Sequence, residues 1–146
     1  MDDIDRMLLV ALSDDGRLSY QQLADQVHLS ANSTADRVRR LRQSGVLAGF
    51  HAELSLATLG YTLHALTDVN LRESVEPRDF ERALEGVPQV LSATLTTGER
   101  DYQLRIVSQS TDQLQSVLET LHKFGTRDAE SRIVLAETVF GSSRLL

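Results

Sequence analysis

Cysteine is absent from this chain of 146 residues. That excludes disulfides, thiolate zinc sites and a cysteine nucleophile, and it fits a reducing cytoplasm. No apolar run approaches the roughly 20 residues of a membrane-spanning helix, so no membrane partner is expected. The opening MDDIDRM is acidic and amphipathic, unlike a secretory leader. No proline- or serine-rich stretch marks a loose linker, and neither a phosphate-cradling glycine loop nor a nucleophile elbow occurs. No cofactor is expected. Histidines 28, 51, 64 and 122 form no paired motif. Glu99, Asp101, Glu130 and Glu137 fall on separate predicted loops and strands, which gives no metal site and no acid–base pair. An enzyme is therefore not expected. Positive charge is scarce overall, with 15 basic against 21 acidic residues and a formal net charge of -6. Such a molecule does not bind polyanions over its whole surface.

What basic charge there is lies unevenly. Ser30 to Gly45 carries four arginines against one aspartate, whereas Val46 to the end carries nine basic against fourteen acidic residues. The basic island sits inside SYQQLADQVHLSANSTADRVRRLRQSG, residues 19–45. Ser19 and Gln22 have capping-box spacing, and Leu23, Ala24 and Val27 form an apolar stripe. Leu29 ends this helix at a corner. Ser30 caps a second one, with Ala31, Thr34, Ala35, Val38 and Leu41 on its inner face. Gly45 suits a left-handed stop. The outer face carries Asn32, Ser33, Asp36 and Arg40, flanked by Arg37 and Arg39. A rigidly held helix with such a face can enter a major groove. In that geometry Asn32, Ser33, Asp36 and Arg40 reach base edges, and Arg37 and Arg39 hold phosphates.

The preceding segment, 3–13, has Ile4, Met7, Leu8, Ala11 and Leu12 at helical spacing, with Asp2 or Asp3 as cap. These three helices make one unit over 1–45. Val46 to Leu54 reads as a strand or wing, within a linker over 46–60 that ends near Gly60. From Tyr61 the period falls to two: Tyr61, Leu63, Ala65, Thr67, Val69 and Leu71 share one face. Pro77 opens a helix whose stripe is Phe80, Ala83, Leu84 and Val87. Val90 to Thr97 is a predicted strand with Leu91, Ala93 and Leu95 on one side. A tight turn over Thr97, Gly98, Glu99, Arg100 and Asp101 leads to a strand from Tyr102 to Val107. Ser110 caps a helix with Leu114, Val117, Leu118 and Leu121 inward, ended by Gly125. A last strand is expected over Arg132 to Phe140. This order, βαββαβ over 61–146, predicts a ferredoxin-like domain with both helices on one sheet face. The other face, which includes Leu66 and Val107, is expected to pack on a second copy in a homodimer.

A winged helix-turn-helix followed by a ferredoxin-like domain resembles the Lrp/AsnC family of transcriptional regulators. The carriers are Asp2-Asp3-Ile4-Asp5-Arg6, Asp15-Gly16-Arg17-Leu18-Ser19, Leu29-Ser30, and the blocks RVRRLRQSGVLAGF and TGERDYQL. The resemblance covers nearly the whole chain. It implies a cytoplasmic, sequence-specific regulator that binds double-stranded DNA through Ser30, Asn32, Ser33, Asp36, Arg37, Arg39 and Arg40. It also implies a small effector, typically an amino acid, at a subunit interface beside Thr97, Gly98, Glu99, Arg100, Asp101 and Tyr102. Dimers assembling to octamers are the implied state. The chain departs from the family in three places: His28 stands where glycine is usual in the helix-helix turn, Ala31 where proline is frequent, and Phe124-Gly125-Thr126 replaces the common Pro-Gly-Val. The same two-domain order also resembles siroheme decarboxylases of haem biosynthesis, which need histidines and a basic cluster for a tetrapyrrole. A third reading is an assembly subunit that has lost DNA binding.

Overall fold

A computed structural model describes all 146 residues. Three helices come first. In α1 (Asp3–Asp14), Asp2 and Asp5 cap each other reciprocally. In α2 (Tyr20–Val27), Ser19 and Gln22 do the same. In α3 (Ala31–Gln43), the Ser30 hydroxyl accepts from the Ser33 amide. Each cap satisfies orphan amide donors at a helix start. Leu8, Leu12, Leu23, Val27 and Val38 form the shared core, with Ile4, Ala11, Leu18, Leu29 and Leu47 around it. One expected core position is wrong: Met7 is half exposed, and Leu9 is buried instead. Leu9 faces a groove lined also by Val46, Leu47 and the C-terminal Ser142–Leu146, so α1 buries a wider arc than a single stripe.

The chain divides into two units, Met1–Glu53 with Thr138–Leu146, and Leu54–Glu137. The boundary thus falls seven residues before Gly60, and the last nine residues belong with the first unit rather than with the sheet. Val46 to Leu54 forms no strand. A strand needs a ladder partner for its amides and carbonyls, and this segment meets none within the chain. A hydrogen-bonded turn over Ser55 to Gly60 follows, closed by Leu59 N–H to Ser55 O and Tyr61 N–H to Leu56 O.

The second unit runs β1 (Leu63–Leu71), α4 (Pro77–Leu84), β2 (Val90–Leu95), β3 (Tyr102–Ser108), α5 (Thr111–Phe124) and β4 (Thr126–Ile133). The sheet order is β2-β3-β1-β4, antiparallel throughout. Ala65, Val69, Tyr102, Leu104 and Ile106 meet Phe80, Leu84, Leu114, Val117 and Leu121 in its core.

Two strand expectations need correction. A bulge between Val90 and Ser92 shifts the parity of β2, so Val90 faces the core and Leu91 is left half exposed. β4 lies six residues earlier than expected. Gly125 takes a left-handed cap (φ 113) directly after α5 and turns the chain straight into Thr126, where pairing with Leu71 begins. A Cβ on Gly125 would stand 2.4 Å from Val75 Cγ2, so the turn also needs the bare α-carbon for space.

The open sheet face carries ion pairs around its apolar Leu66 and Val107. Asp68 accepts from Gln103 (3.0 Å) and from Arg132, Arg105 pairs with Glu137 (2.8 Å), and Arg100 pairs with Asp128 and Glu130. Leu66 and Val107 sit between these pairs, half-buried and buried respectively. Both are already partly shielded within one chain.

Candidate functional site

α3 is built to be held on one side and open on the other. Thr34, Val38 and Leu41 are buried; Asn32, Ser33, Asp36, Arg39 and Arg40 are exposed. The Ser30 and Ser33 hydroxyls are bonded to each other at 2.9 Å. Asn32 and Arg40 make no side-chain bond within the chain, leaving their donors free. Arg39 pairs only with Asp36 (2.7 Å), and both groups are about two-thirds exposed, at 65% and 64%. An exposed pair of this kind contributes at most about 1 kcal/mol and exchanges readily for another anion.

Arg37 is different. Its guanidinium bonds Asp2 and Asp5 at 2.8 Å each, and it is only 22% exposed. The two carboxylates raise its pKa above the ordinary value. The Asp5 amide, and next the Arg37 guanidinium, hold the Asp2 carboxyl below the usual range. The capping box of α1 is therefore also the anchor for α3. An arginine read as a phosphate ligand from its helical position is engaged inside the unit.

The turn that positions α3 carries a cost. His28 closes α2 at φ 56, ψ 43, the only non-glycine residue of the chain with positive φ. A side chain in that conformation costs roughly 1–2 kcal/mol. The adjoining Leu29 packs against the core of the helical unit, which offsets the strain.

In the sheet unit, the turn after β2 bends back at Gly98 (φ 114), a conformation that side chains rarely adopt. No atom lies within 4 Å of where its Cβ would be, so here the glycine serves backbone conformation and not close packing. Asp101 is bound at both ends: its amide donates to Asn70 Oδ1 (3.0 Å), and its Oδ2 accepts from the Leu71 amide (2.8 Å). Beside it lies a cavity of about 380 Å³ whose lining includes Asn70, Glu73, Leu95, Glu99, Asp101 and Arg127.

Of the six residues expected there, Glu99, Asp101 and Tyr102 line this cavity. Thr97 and Gly98 lie in the adjoining turn, outside the lining. Arg100 lies outside this lining, paired with Asp128 and Glu130, and borders an adjoining hollow that shares Asn70 and Glu99. Tyr102 is a core residue: its ring packs on Phe80 at 5.4 Å, and its hydroxyl donates to Glu81 at 2.6 Å. Burial, and then the Glu81 carboxylate, push its phenol up to about 12. Asp128, behind the cavity, is held below the usual carboxylate range, first by the Arg127 hydrogen bond. Asn70, Glu73 and Arg127 were missed in the sequence. Strand alternation pointed Asn70 away from the core, and nothing local ties Arg127 to the hairpin.

His28, His51, His64 and His122 lie on a helix cap, an irregular segment, a strand and a helix. No group of three or more His, Cys, Asp or Glu is placed to hold a metal ion. No helix is long and apolar enough to cross a membrane.

Residues 1–42 match the AsnC-type helix-turn-helix domain, and residues 64–143 match the Lrp/AsnC ligand binding domain. The chain belongs to the Lrp/AsnC family. Among its relatives, the HTH-type transcriptional regulator AldR of Mycolicibacterium smegmatis is 31% identical over 148 residues, 99% of this chain and 86% of that protein. LrpA of Mycobacterium tuberculosis is 31% identical over 135 residues, 92% of this chain and 90% of that protein. Among solved structures, the transcriptional regulator NMB0573 of Neisseria meningitidis, crystallised with L-Met, matches with a TM-score of 0.90 at 31% identity. The match covers 100% of this chain and 99% of that one. This Lrp/AsnC protein is thus a DNA-binding transcriptional regulator with an N-terminal helix-turn-helix and an α+β ligand-binding domain.

Proposed function

We propose that α3 enters the major groove of double-stranded DNA and that an amino acid or related small effector modulates this binding. Asn32, Ser33, Asp36 and Arg40 face the base edges, and Ser30 and Arg39 stand by the backbone. The observation that carries the reading is that Asn32, near the start of α3, and Arg40, two turns further on, are both exposed with unengaged side chains while the opposite side of the helix is buried. Arg37 acts from behind, holding α3 to the cap of α1. Arg40→Ala should weaken promoter binding in a mobility-shift titration by about 1–3 kcal/mol and relax preference at one base position. Unchanged affinity and preference would remove Arg40 from the interface.

For the effector, the cavity beside Gly98 is the proposed seat. The Asp101 and Glu99 carboxylates suit an ammonium group, and Arg127 suits a carboxylate. The complex of the Neisseria regulator with L-Met supports an amino acid as the chemical class. Calorimetry against the standard amino acids tests this; no heat from any of them would leave the regulator without this effector class. Effector binding would shift subunit packing and the spacing of paired α3 helices, a coupling of about 1–3 kcal/mol.

Assembly as homodimers, and of dimers into octamers, belongs to the same proposal. Exposed apolar side chains on the sheet unit, among them Ile133 at 47% and Leu135 at 94%, support a second copy as their cover. Cytoplasmic location and a purely regulatory role without a catalytic step follow from this reading.

A further inference from the structure

On the helix-turn-helix unit a notch of about 440 Å³ is lined by Tyr20, Arg39, Arg42, Gln43, Leu47 and Ala48. No acidic side chain lines it. Tyr20 opens α2, is 49% exposed, and its hydroxyl has no partner within the chain. Arg42 has no carboxylate; its guanidinium stands 6.0 Å from the centroid of the Phe50 ring. Arg39 and Arg42 are three residues apart and share one flank of α3. Arg37, on the opposite flank, is neutralised by Asp2 and Asp5. The two flanks of the reading face are thus electrostatically unequal.

We infer that the Tyr20–Arg39–Arg42 notch is a seat for backbone phosphates of the DNA strand bordering the groove that α3 occupies. The inference rests on the proposal that α3 reads DNA, and it adds Tyr20 and Arg42 to that interface. Two guanidinium groups meet phosphate oxygens, the phenol donates a neutral hydrogen bond, and the Leu47 and Ala48 surface floors the notch. Phosphates do not differ with sequence, so this seat supplies affinity and register but no base preference.

The test is fluorescence anisotropy of the full chain with a labelled mixed-sequence duplex, titrated across salt concentrations. Arg42→Gln should lower the slope of log affinity against log salt by about 0.9 for each protomer engaged. Arg42→Lys should restore it. Tyr20→Phe should weaken binding a few-fold with the slope unchanged, because a neutral donor displaces no counterion. If both Arg42→Gln and Tyr20→Phe bind like the parent at every salt concentration, the notch is not a phosphate seat. Arg40→Ala, measured on a sequence-selected duplex, separates the two ideas. Loss there without change at Arg42 removes the notch alone. A changed slope at Arg42 with parental sequence preference in Arg40→Ala keeps the notch and removes the base assignment.

Discussion

Two sets of arginines in this molecule have opposite fates. Arg100, Arg105 and Arg132 on the open sheet face are each met by carboxylates of a neighbouring segment: Asp128 and Glu130, Glu137, and Asp68. On α3, Arg40 and Arg42 meet no carboxylate, Arg39 meets only a neighbour on its own helix, and Arg37 alone is tied to another element. Residue type is the same in both sets. What differs is the availability of the charge to an outside anion. A guanidinium already bonded to a carboxylate must lose that partner before it takes up a phosphate; an unpaired one loses only water. A count of arginines along the chain therefore misjudges where the molecule attracts DNA, and a count of unpaired ones does not.

The largest effect is expected from neutralising each set of arginines in turn. Arg39→Gln, Arg40→Gln and Arg42→Gln together should lower affinity for a mixed-sequence duplex roughly a hundredfold at physiological salt and cut the salt slope by about 1.8 per protomer, about 0.9 for each of the two phosphate-facing arginines, Arg39 and Arg42. The matching triple at Arg100, Arg105 and Arg132 should leave the slope untouched and cost only about 1 kcal/mol or less of stability per exposed pair. Equal losses in the two triples would mean that pairing to carboxylates does not decide which arginines meet DNA.

Smaller effects are expected at single residues. Tyr102→Phe removes the hydroxyl that Glu81 accepts from, and should cost about 1–2 kcal/mol of stability without altering DNA affinity. It should also remove an alkaline step. The folded phenol titrates at about 12, above its unfolded value of 10.0, so it stabilises the fold below pH 10 and that contribution fades as pH rises through 12. Ultraviolet titration of tyrosinate in parent and variant reads this directly.

His28→Gly should stabilise the helical unit by about 1 kcal/mol, because glycine adopts the left-handed turn without a Cβ clash. Thermal melting checks it; a lower melting temperature would mean that the imidazole itself is needed. The least is expected of Arg37→Gln at neutral pH in binding: a lower melting temperature but an unchanged salt slope. Its acid limb is more telling. Asp2 titrates below its unfolded value, so its contribution is present above the ordinary carboxylate range and vanishes as pH falls through the depressed pKa. In Arg37→Gln that acid-limb loss should be smaller.

Much of this fold was legible along the chain. Helices α1, α2 and α3 begin where Asp2, Ser19 and Ser30 cap them, and α5 ends where Gly125 turns. Caps act through bonds spanning three residues, so the local sequence reveals them. The alternation of Leu63 to Leu71 placed β1 because one face is packed in the core and the other is only partly covered. The candidate site was half legible: the outer face of α3 follows from its period, and Gly98 from the turn. What the sequence did not show is that Arg37 and Arg100 are paired to carboxylates of other segments and that Tyr102, although it lines the cavity, is buried and bonded to Glu81.

The remaining differences arise across distance. The bulge that turns Val90 inward instead of Leu91 depends on register against Ile106 and Arg105. The start of β4 depends on Leu71 being next to Thr126, and the return of residues 138–146 to the helical unit depends on the groove beside Leu9. By itself the sequence determined the helices, their caps, the order of strands and the face of α3 that points outward, because those rest on periodicity and short-range bonds. Tertiary structure alone decided which charges are spent and which stay free, because a guanidinium finds its carboxylate through space and not along the chain.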